Sequence, residues 1–355
     1  MWQLIKFEFE KIWSRNIVWI GLAVMLAAGL VVSNSGNSSR VVTSDGIELK
    51  GKEGKEYIRE HTEKYAGLLN DEKLKQITEE ERPGGDDEYA SYHGLPLYRA
   101  LYENFGRDYG PFYGMTVDQA FTQKGITVEV GYSEPWVGVL NSFPIILLGI
   151  GTVVAIAISG VFAEEYSRKM DALLLTCRHG KKRCVYAKVI ASFLFAVIAY
   201  AAFALVYLIP AFAYNGFYGL DAGIQLDDMG VMAGVPYTLS CGQAVGLMLA
   251  GGLMGMLMLT AVTLVVSVIS QSSFVAVIIA ALLYYLPLIF LQVLDVQILA
   301  LTPFGAALNT VLLQPKISIG GVEVLFYAKI LVTVVILAVI AWAATRRIFA
   351  RHQVR

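Results

Sequence analysis

Six long apolar stretches dominate the pattern of hydrophobic and polar positions along the chain. A helix of about 20 apolar residues crosses the roughly 30 Å hydrocarbon core of a bilayer. The stretches are continuous rather than alternating, which predicts helices instead of the strands of a β-barrel. We therefore expect an all-α polytopic membrane protein with six transmembrane helices, at residues 17–33, 138–163, 189–214, 244–270, 273–291 and 326–349.

The charges between these stretches are distributed unevenly. The two ends of the chain and the loop at residues 164–188 together hold 14 Lys and Arg against 5 Asp and Glu, whereas residues 34–137 hold 12 against 19. Lys and Arg beside a span resist translocation. We therefore expect a multi-pass plasma-membrane protein whose termini, including the tail at 350–355, are cytoplasmic. Residues 34–137 would then form an extracytoplasmic domain.

The N-terminal residues 1–16 place large apolar side chains on one side of a helix and charged ones elsewhere. This pattern indicates an interfacial helix in the headgroup layer, with Trp2 and Trp13 as membrane anchors. The alternative is a plain extension of the first span.

The extracytoplasmic insert is predicted to be α-rich with mixed α/β character. We expect a hairpin around residues 44–46, helices over 52–81 and 88–105, and a strand over 126–132. Its nine tyrosines and an acidic run suit either a cationic amphipathic peptide or a small core beside a solvated acidic loop.

Two further loops are expected on the same side as the insert. The loop at residues 215–243 is short and rich in glycine, whereas 292–325 contains an apolar segment broken by Pro303 and Gly305. Such an interrupted segment predicts a re-entrant or interfacial helical pair. In the fourth span, closely spaced glycines predict tight helix packing, within the chain or between two copies, at Gly242, Gly246, Gly251 and Gly255.

The sequence contains no motif for an enzyme. It has no phosphate-binding G-x-x-x-x-G-K-[ST] loop, no H-E-x-x-H and no G-x-S-x-G. The spans also lack the intramembrane carboxylate that an ion-coupled carrier needs. We expect no catalytic, metal or cofactor site in this chain and no nucleic-acid partner, so the energy for any transport would come from elsewhere.

The loop at residues 164–188 is the strongest functional candidate. On a helix, Met170 and Leu174 share one face, while Glu164, Arg168, Asp171 and Leu175 share the opposite one. Leu175 either inserts into a partner's groove or rests against the membrane or a neighbouring loop. The basic residues that follow are interpreted as headgroup anchors of the third span, at Lys181, Lys182, Arg183 and Lys188.

The order of these features resembles that of an ABC-2 type transporter permease, the membrane subunit of an ATP-driven exporter. The similarity rests on the aromatic N-terminal helix, the six spans, Glu164-Glu165 followed by three leucines, Lys188 at the third span, and TPFGAALN in the last loop.

The resemblance implies a coupling helix over residues 164–177 that docks in a groove of a separate cytoplasmic ATPase. The implied contact residues are Glu164, Glu165, Arg168, Met170, Asp171, Leu174 and Leu175. It further implies that ATP and Mg are bound by that ATPase, and that the permease pairs with itself or with a related permease in the bilayer. The expected function is export or membrane extraction of an amphipathic substrate, such as a peptide, an antimicrobial or a lipid-like compound. The alternative is a membrane sensor that detects a ligand with its outer domain and transports nothing.

Overall fold

The computed structural model describes residues 1–35, 40–83, 94–170, 183–227, 232–290, 293, 295–308 and 310–351. Two helices begin the chain, α1 (Trp2–Trp13) and α2 (Asn16–Ser35). The other long helices are α7 (Glu134–Ser167), α8 (Val185–Asn215), α9 (Cys241–Ile269), α10 (Ser273–Ile289) and α13 (Tyr327–Arg351).

Five of the long helices are long and apolar enough to cross a membrane, namely α2, α7, α8, α9 and α13. Helix α10 has 17 residues, so it extends about 26 Å, which is slightly less than the roughly 30 Å of hydrocarbon. The described residues thus contain five of the six predicted spans at full length, and α10 corresponds to the remaining one.

Helices α7 and α9 form the centre of the bundle. Both are largely buried and pack against each other, while α2 and α13 leave most of their apolar residues exposed. Apolar side chains exposed along a long helix are suited to lipid. Two glycines of α9 allow it to pack closely against residues 303–307 of the same chain. A Cβ at Gly251 would lie 3.2 Å from the Ala306 carbonyl oxygen, and one at Gly255 would lie 2.9 Å from that of Pro303. These two glycines therefore serve packing within the chain.

Between α2 and α7 lies the insert, residues 34–137, which has a hydrophobic core of its own. Its elements are β1 (Arg40–Val42), β2 (Glu48–Lys50), α3 (Gly51–Lys64), β3 (Gly67–Leu68), α4 (Asp71–Glu80), α5 (Pro96–Leu101), a π-helical turn (Tyr102–Gly106), α6 (Val117–Ala120), a 3₁₀ turn (Thr122–Lys124) and β4 (Glu129–Val130). Leu226 and Ala233, from the loop between α8 and α9, complete this core.

The predicted hairpin around residues 44–46 is confirmed, because β1 and β2 pair antiparallel across it. The single helix predicted over 52–81 is wrong. The chain leaves the helix after Lys64, and Gly67 has a φ of +103°, which favours glycine. A new helix then begins behind Asn70, whose side chain accepts a hydrogen bond from the Lys73 amide at 2.7 Å.

The other predictions for the insert are met in part. The helix predicted over 88–105 is present as α5 and the π-helical turn, and residues 84–93 lie outside the described residues. Of the predicted strand 126–132, only β4 pairs, with β3. The insert therefore combines helices with short strand pairs, as the mixed α/β prediction requires.

The segment after α10 forms the predicted pair of short helices, α11 (Val296–Ala300) and α12 (Pro303–Ala307). Thr302 caps α12 by accepting a hydrogen bond from the Gly305 amide at 3.0 Å. The hairpin that follows, β5 (Ile317–Ile319) and β6 (Val322–Val324), was not predicted. The sequence pattern for this hairpin is a pair of glycines, Gly320 and Gly321, between two segments of alternating apolar residues. In the structure both glycines have positive φ.

Candidate functional site

A fully buried lysine lies where α1, the end of α7 and the start of α8 meet. The Lys188 ammonium lies 2.8 Å from Oε2 of Glu8 on α1 and 2.6 Å from Oε1 of Glu165 on α7. It also donates a hydrogen bond to the Val161 carbonyl oxygen at 3.2 Å. These three acceptors match the three donors of an ammonium group. The buried charge is therefore both neutralised and fully hydrogen-bonded.

An arginine between α1 and α2 makes a second connection to α7. Arg15 forms an ion pair with Glu164 Oε2 at 2.6 Å and donates a hydrogen bond to the Ala157 carbonyl oxygen at 2.9 Å. Its guanidinium lies over Gly160, where an added Cβ would come within 2.5 Å of it. The missing side chain at Gly160 therefore makes room for Arg15 on the helix surface.

Two more cations surround these carboxylates. Lys11 lies 3.3 Å from Glu165 Oε1, and Arg168 lies 2.6 Å from Glu164 Oε1. We call this cluster the charged junction; its members are Glu8, Lys11, Arg15, Glu164, Glu165, Arg168 and Lys188. It holds four cations and three carboxylates.

Cys184 lies beside the charged junction, at the start of α8. Its thiol is directed towards Glu8 Oε1, with 3.8 Å between sulfur and oxygen. Burial raises the pKa of the Cys184 thiol to about 11, because the thiolate would lose its hydration. The thiol is therefore protonated at neutral pH and acts as a small buried donor rather than a nucleophile.

The site contains no arrangement for a metal. In the parts of the chain that the structure describes, no three His, Cys, Asp or Glu side chains converge as metal ligands would. The charged junction pairs its carboxylates with cations of the same chain instead, and these ion pairs connect α1, α7 and α8.

Nearly the whole chain is similar to one protein family. The model of the family described as "ABC-2 family transporter protein" matches residues 2–351, which is nearly the whole chain. The chain belongs to the ABC-2 transporter family. No curated protein and no solved structure was found to match it.

Membership of the ABC-2 family confirms the predicted resemblance. The chain is a permease subunit of an ABC transporter and a multi-pass membrane protein, and the family implies an ABC ATPase as partner. The coupling helix predicted over residues 164–177 begins within the last turn of α7, which ends at Ser167 and carries Glu164 and Glu165 of the charged junction. Residues 171–177 lie outside the described residues.

The structure divides the predicted ATPase-contact residues into two groups. Glu165 is buried and Glu164 is mostly buried, and both are held by cations of this same chain. Arg168 and Met170 are exposed just beyond them, after α7 ends. Asp171, Leu174 and Leu175 lie outside the described residues.

The predicted membrane anchors also differ from one another. The Lys188 prediction is wrong, because a side chain with no exposed surface cannot reach a lipid headgroup. Trp2 and Arg183 are exposed, whereas Trp13 is partly buried and packs edge-on against Trp19 and Phe195. Lys181 and Lys182 lie outside the described residues.

Sequence reasoning missed Glu8, Lys11 and Arg15 as members of the site. A signal for Glu8 did exist. It shares the buried side of α1 with Ile5 and Ile12, at spacings of three and four residues. A carboxylate on the apolar side of a helix requires a buried cation, and Lys188 at the start of the third span was available.

Proposed function

We propose that this permease couples ATP hydrolysis in a separate cytoplasmic ATPase to the export or membrane extraction of an amphipathic substrate. The observation that carries the proposal is the charged junction. It connects the end of α7 and the start of α8 to α1. A force applied to the segment between α7 and α8 would therefore act on all three helices.

Buried ion pairs suit such a connection because they are costly to break. Removing one partner of a buried pair costs roughly 3–5 kcal/mol, since it leaves an uncompensated charge. Lys188 bridges two carboxylates on different helices, Glu8 on α1 and Glu165 on α7. The three helix ends would therefore move as one body when the ATPase changes shape.

The proposal includes six spans with both termini cytoplasmic. Both ends of the chain are basic, and so is the loop at residues 164–188. The positive-inside rule places all three on the same side, which requires an even number of crossings. With five full-length spans, α10 must then cross as well, either by local thinning of the bilayer or by extension of its ends. The working unit would contain two permeases, identical or related, with two ATPases.

The test compares two exposed methionines on different parts of the chain. Met170 follows α7 beside the charged junction and is 49% exposed, whereas Met115 lies in the insert and is 45% exposed. We expect Met170→Asp and Leu175→Asp to lose co-purification with the ATPase, because a charge would enter an apolar contact. Met115→Asp, at matched exposure, should retain it.

All three variants should insert and fold normally, as judged by their yield and elution from size exclusion. Stoichiometric ATPase binding by Met170→Asp and Leu175→Asp would contradict the coupling assignment. A protein that performs its cellular role in a strain lacking the ATPase would favour the sensor alternative instead.

A further inference from the structure

The hairpin of β5 and β6 has one apolar face and one polar face. Its cross-strand pairs are Ile317–Val324, Ser318–Glu323 and Ile319–Val322. Residues opposite each other in an antiparallel pair share a face, and successive residues of a strand point to opposite faces. The two apolar pairs therefore lie on one face, and the polar pair between them lies on the other.

The bundle covers the apolar face at the base of the hairpin, and the tip stays exposed. Ile317 is half-buried and packs against the core of the bundle, as does Leu325 directly after β6. At the tip, Ile319 is 58% exposed and Val322 is 63% exposed. The two turn residues are glycines, which have no side chain to shield them. The apolar surface thus continues outward from the core of the bundle.

The hairpin lies at the end of the bundle that carries the insert. The Lys316 ammonium, next to β5, lies 5.9 Å from the centre of the Tyr237 ring. Tyr237 belongs to the loop between α8 and α9, which also completes the core of the insert. On its other side the hairpin leads directly into α13, which begins at Tyr327, three residues after β6 ends.

The charges of α13 mark the depth of the hairpin in the membrane. Lys329 lies in the first turn of α13 and Arg346 near its other end, 17 positions later. A helix of that length extends about 26 Å, which is close to the thickness of the hydrocarbon core. Lysine and arginine at the ends of a span reach the lipid headgroups. The hairpin, a few residues before Lys329, therefore lies at the level of the headgroups.

The exposed tip suits lipid better than a protein partner. Two aliphatic side chains offer on the order of 200 Å² of apolar surface, whereas a stable protein interface buries about 1,200–2,000 Å². Acyl chains can surround a single side chain, so a lipid leaflet needs no such minimum area. On the polar face, the side chains of Lys316 and Glu323 are 44% and 74% exposed, and both can remain in water.

We propose that the hairpin of β5 and β6 is an amphipathic membrane anchor that lies flat on the leaflet next to the insert. Ile319 and Val322 enter the acyl chains just below the headgroups, while Lys316 and Glu323 face the water. The contact would hold the first turn of α13 at a fixed depth. It does not depend on what the permease transports or on the ATPase.

Three positions separate lipid contact from simple exposure. Val322 lies on the apolar face of the hairpin, and Glu323, the next residue, lies on the polar face. Leu68, in β3 of the insert, is 62% exposed, which matches the 63% of Val322. The residue opposite Leu68 is the exposed Glu129, so Leu68 has a polar neighbour instead of an apolar face.

The experiment places a fluorescent NBD label on Val322→Cys, Glu323→Cys or Leu68→Cys in the full-length protein. Cys177 is replaced by serine throughout, and the buried Cys184 and Cys241 should not react. The proteins are placed in nanodiscs of phosphatidylcholine with or without a nitroxide on the acyl chain near the headgroup. We expect the nitroxide to reduce the emission of the Val322 label about twofold and to leave the other two nearly unchanged. Iodide in the water should quench in the opposite order.

Each other result would overturn a stated part of the proposal. If the nitroxide does not quench the Val322 label, the tip does not contact acyl chains. Equal quenching at Val322 and Glu323 would contradict the flat orientation, and equal quenching at Leu68 would remove any special role of the hairpin. A disulfide between two copies of Val322→Cys, without quenching by the nitroxide, would identify a second copy as the occupant instead of lipid.

Discussion

The two ends of the α7–α8 pair are held by different chemistry. At one end, the charged junction uses ion pairs, and Lys188 is buried between two carboxylates. At the other, neutral hydroxyl groups join α2, α7 and α8: Ser142 and Tyr207 share a hydrogen bond of 2.6 Å, and Ser33 donates to the Tyr207 carbonyl oxygen at 2.8 Å. Glu165 and Ser142 are separated by about 35 Å along α7.

The difference suggests different mechanical roles for the two ends, which share α7 and α8. A buried ion pair is costly to break, whereas a neutral hydrogen bond contributes only about 0.5–1.5 kcal/mol. The end with the charged junction is therefore suited to holding its geometry under load. The end with Ser142 and Tyr207 can rearrange at lower cost. Three substitutions test this comparison.

The largest effect is expected when the buried lysine is removed. Lys188→Met leaves Glu8 and Glu165 without the cation that neutralises them, and we expect a loss of roughly 3–5 kcal/mol in the free energy of unfolding. The measurement is the thermal unfolding midpoint of the purified protein in detergent. Replacing the carboxylates as well, with Glu8→Gln and Glu165→Gln, should recover part of the loss. An unchanged midpoint in Lys188→Met would show that the junction holds nothing together.

An intermediate effect is expected from a methyl group beneath Arg15. In Gly160→Ala the added Cβ would displace the guanidinium from Glu164, and we expect a loss of about 1–3 kcal/mol. Gly138→Ala, on the same helix but in open space, should be neutral or slightly stabilising, because alanine favours helix over glycine. Since both variants gain the same helix propensity, the difference between their unfolding midpoints isolates the Arg15 contact. Equal midpoints would contradict that contact.

The smallest effect is expected at the neutral end. Tyr207→Phe removes the hydroxyl that pairs with Ser142 and should cost about 0.5–1.5 kcal/mol by the same measurement. In the Ser142→Ala background, Tyr207→Phe should cost less, because the shared bond is already absent. A loss as large as that of Lys188→Met would remove the contrast between the two ends.

The sequence predicted most of the fold where the signal is local, although the equally local hairpin of β5 and β6 was not predicted. Neighbouring residues were sufficient to predict the continuous apolar stretches, the hairpin of β1 and β2, and the interrupted helical segment of α11 and α12. The prediction failed at Gly67 because the residues on both sides are good helix formers, and only the pairing of β3 with β4 shows why the chain turns there.

Four of the seven residues of the charged junction were predicted as functional candidates, but none of their contacts was. Glu164, Glu165 and Lys188 stood out because they are charged and border apolar stretches. Their assignment to a partner or to lipid headgroups required knowledge of which side chains face inward. Glu8 and Lys188 are 180 positions apart, so no spacing rule connects them.

By itself the sequence determined that the chain spans a membrane, that its loop at 164–188 is basic, and that it resembles ABC-2 permeases. Each of these follows from local composition or motif order, because helix formation in lipid depends on consecutive residues. The tertiary structure decided that Lys188 is buried between Glu8 and Glu165 and that the apolar face of the β5–β6 hairpin extends beyond the bundle. Ion pairs and packed faces arise between distant segments, so they exist only after the helices have packed.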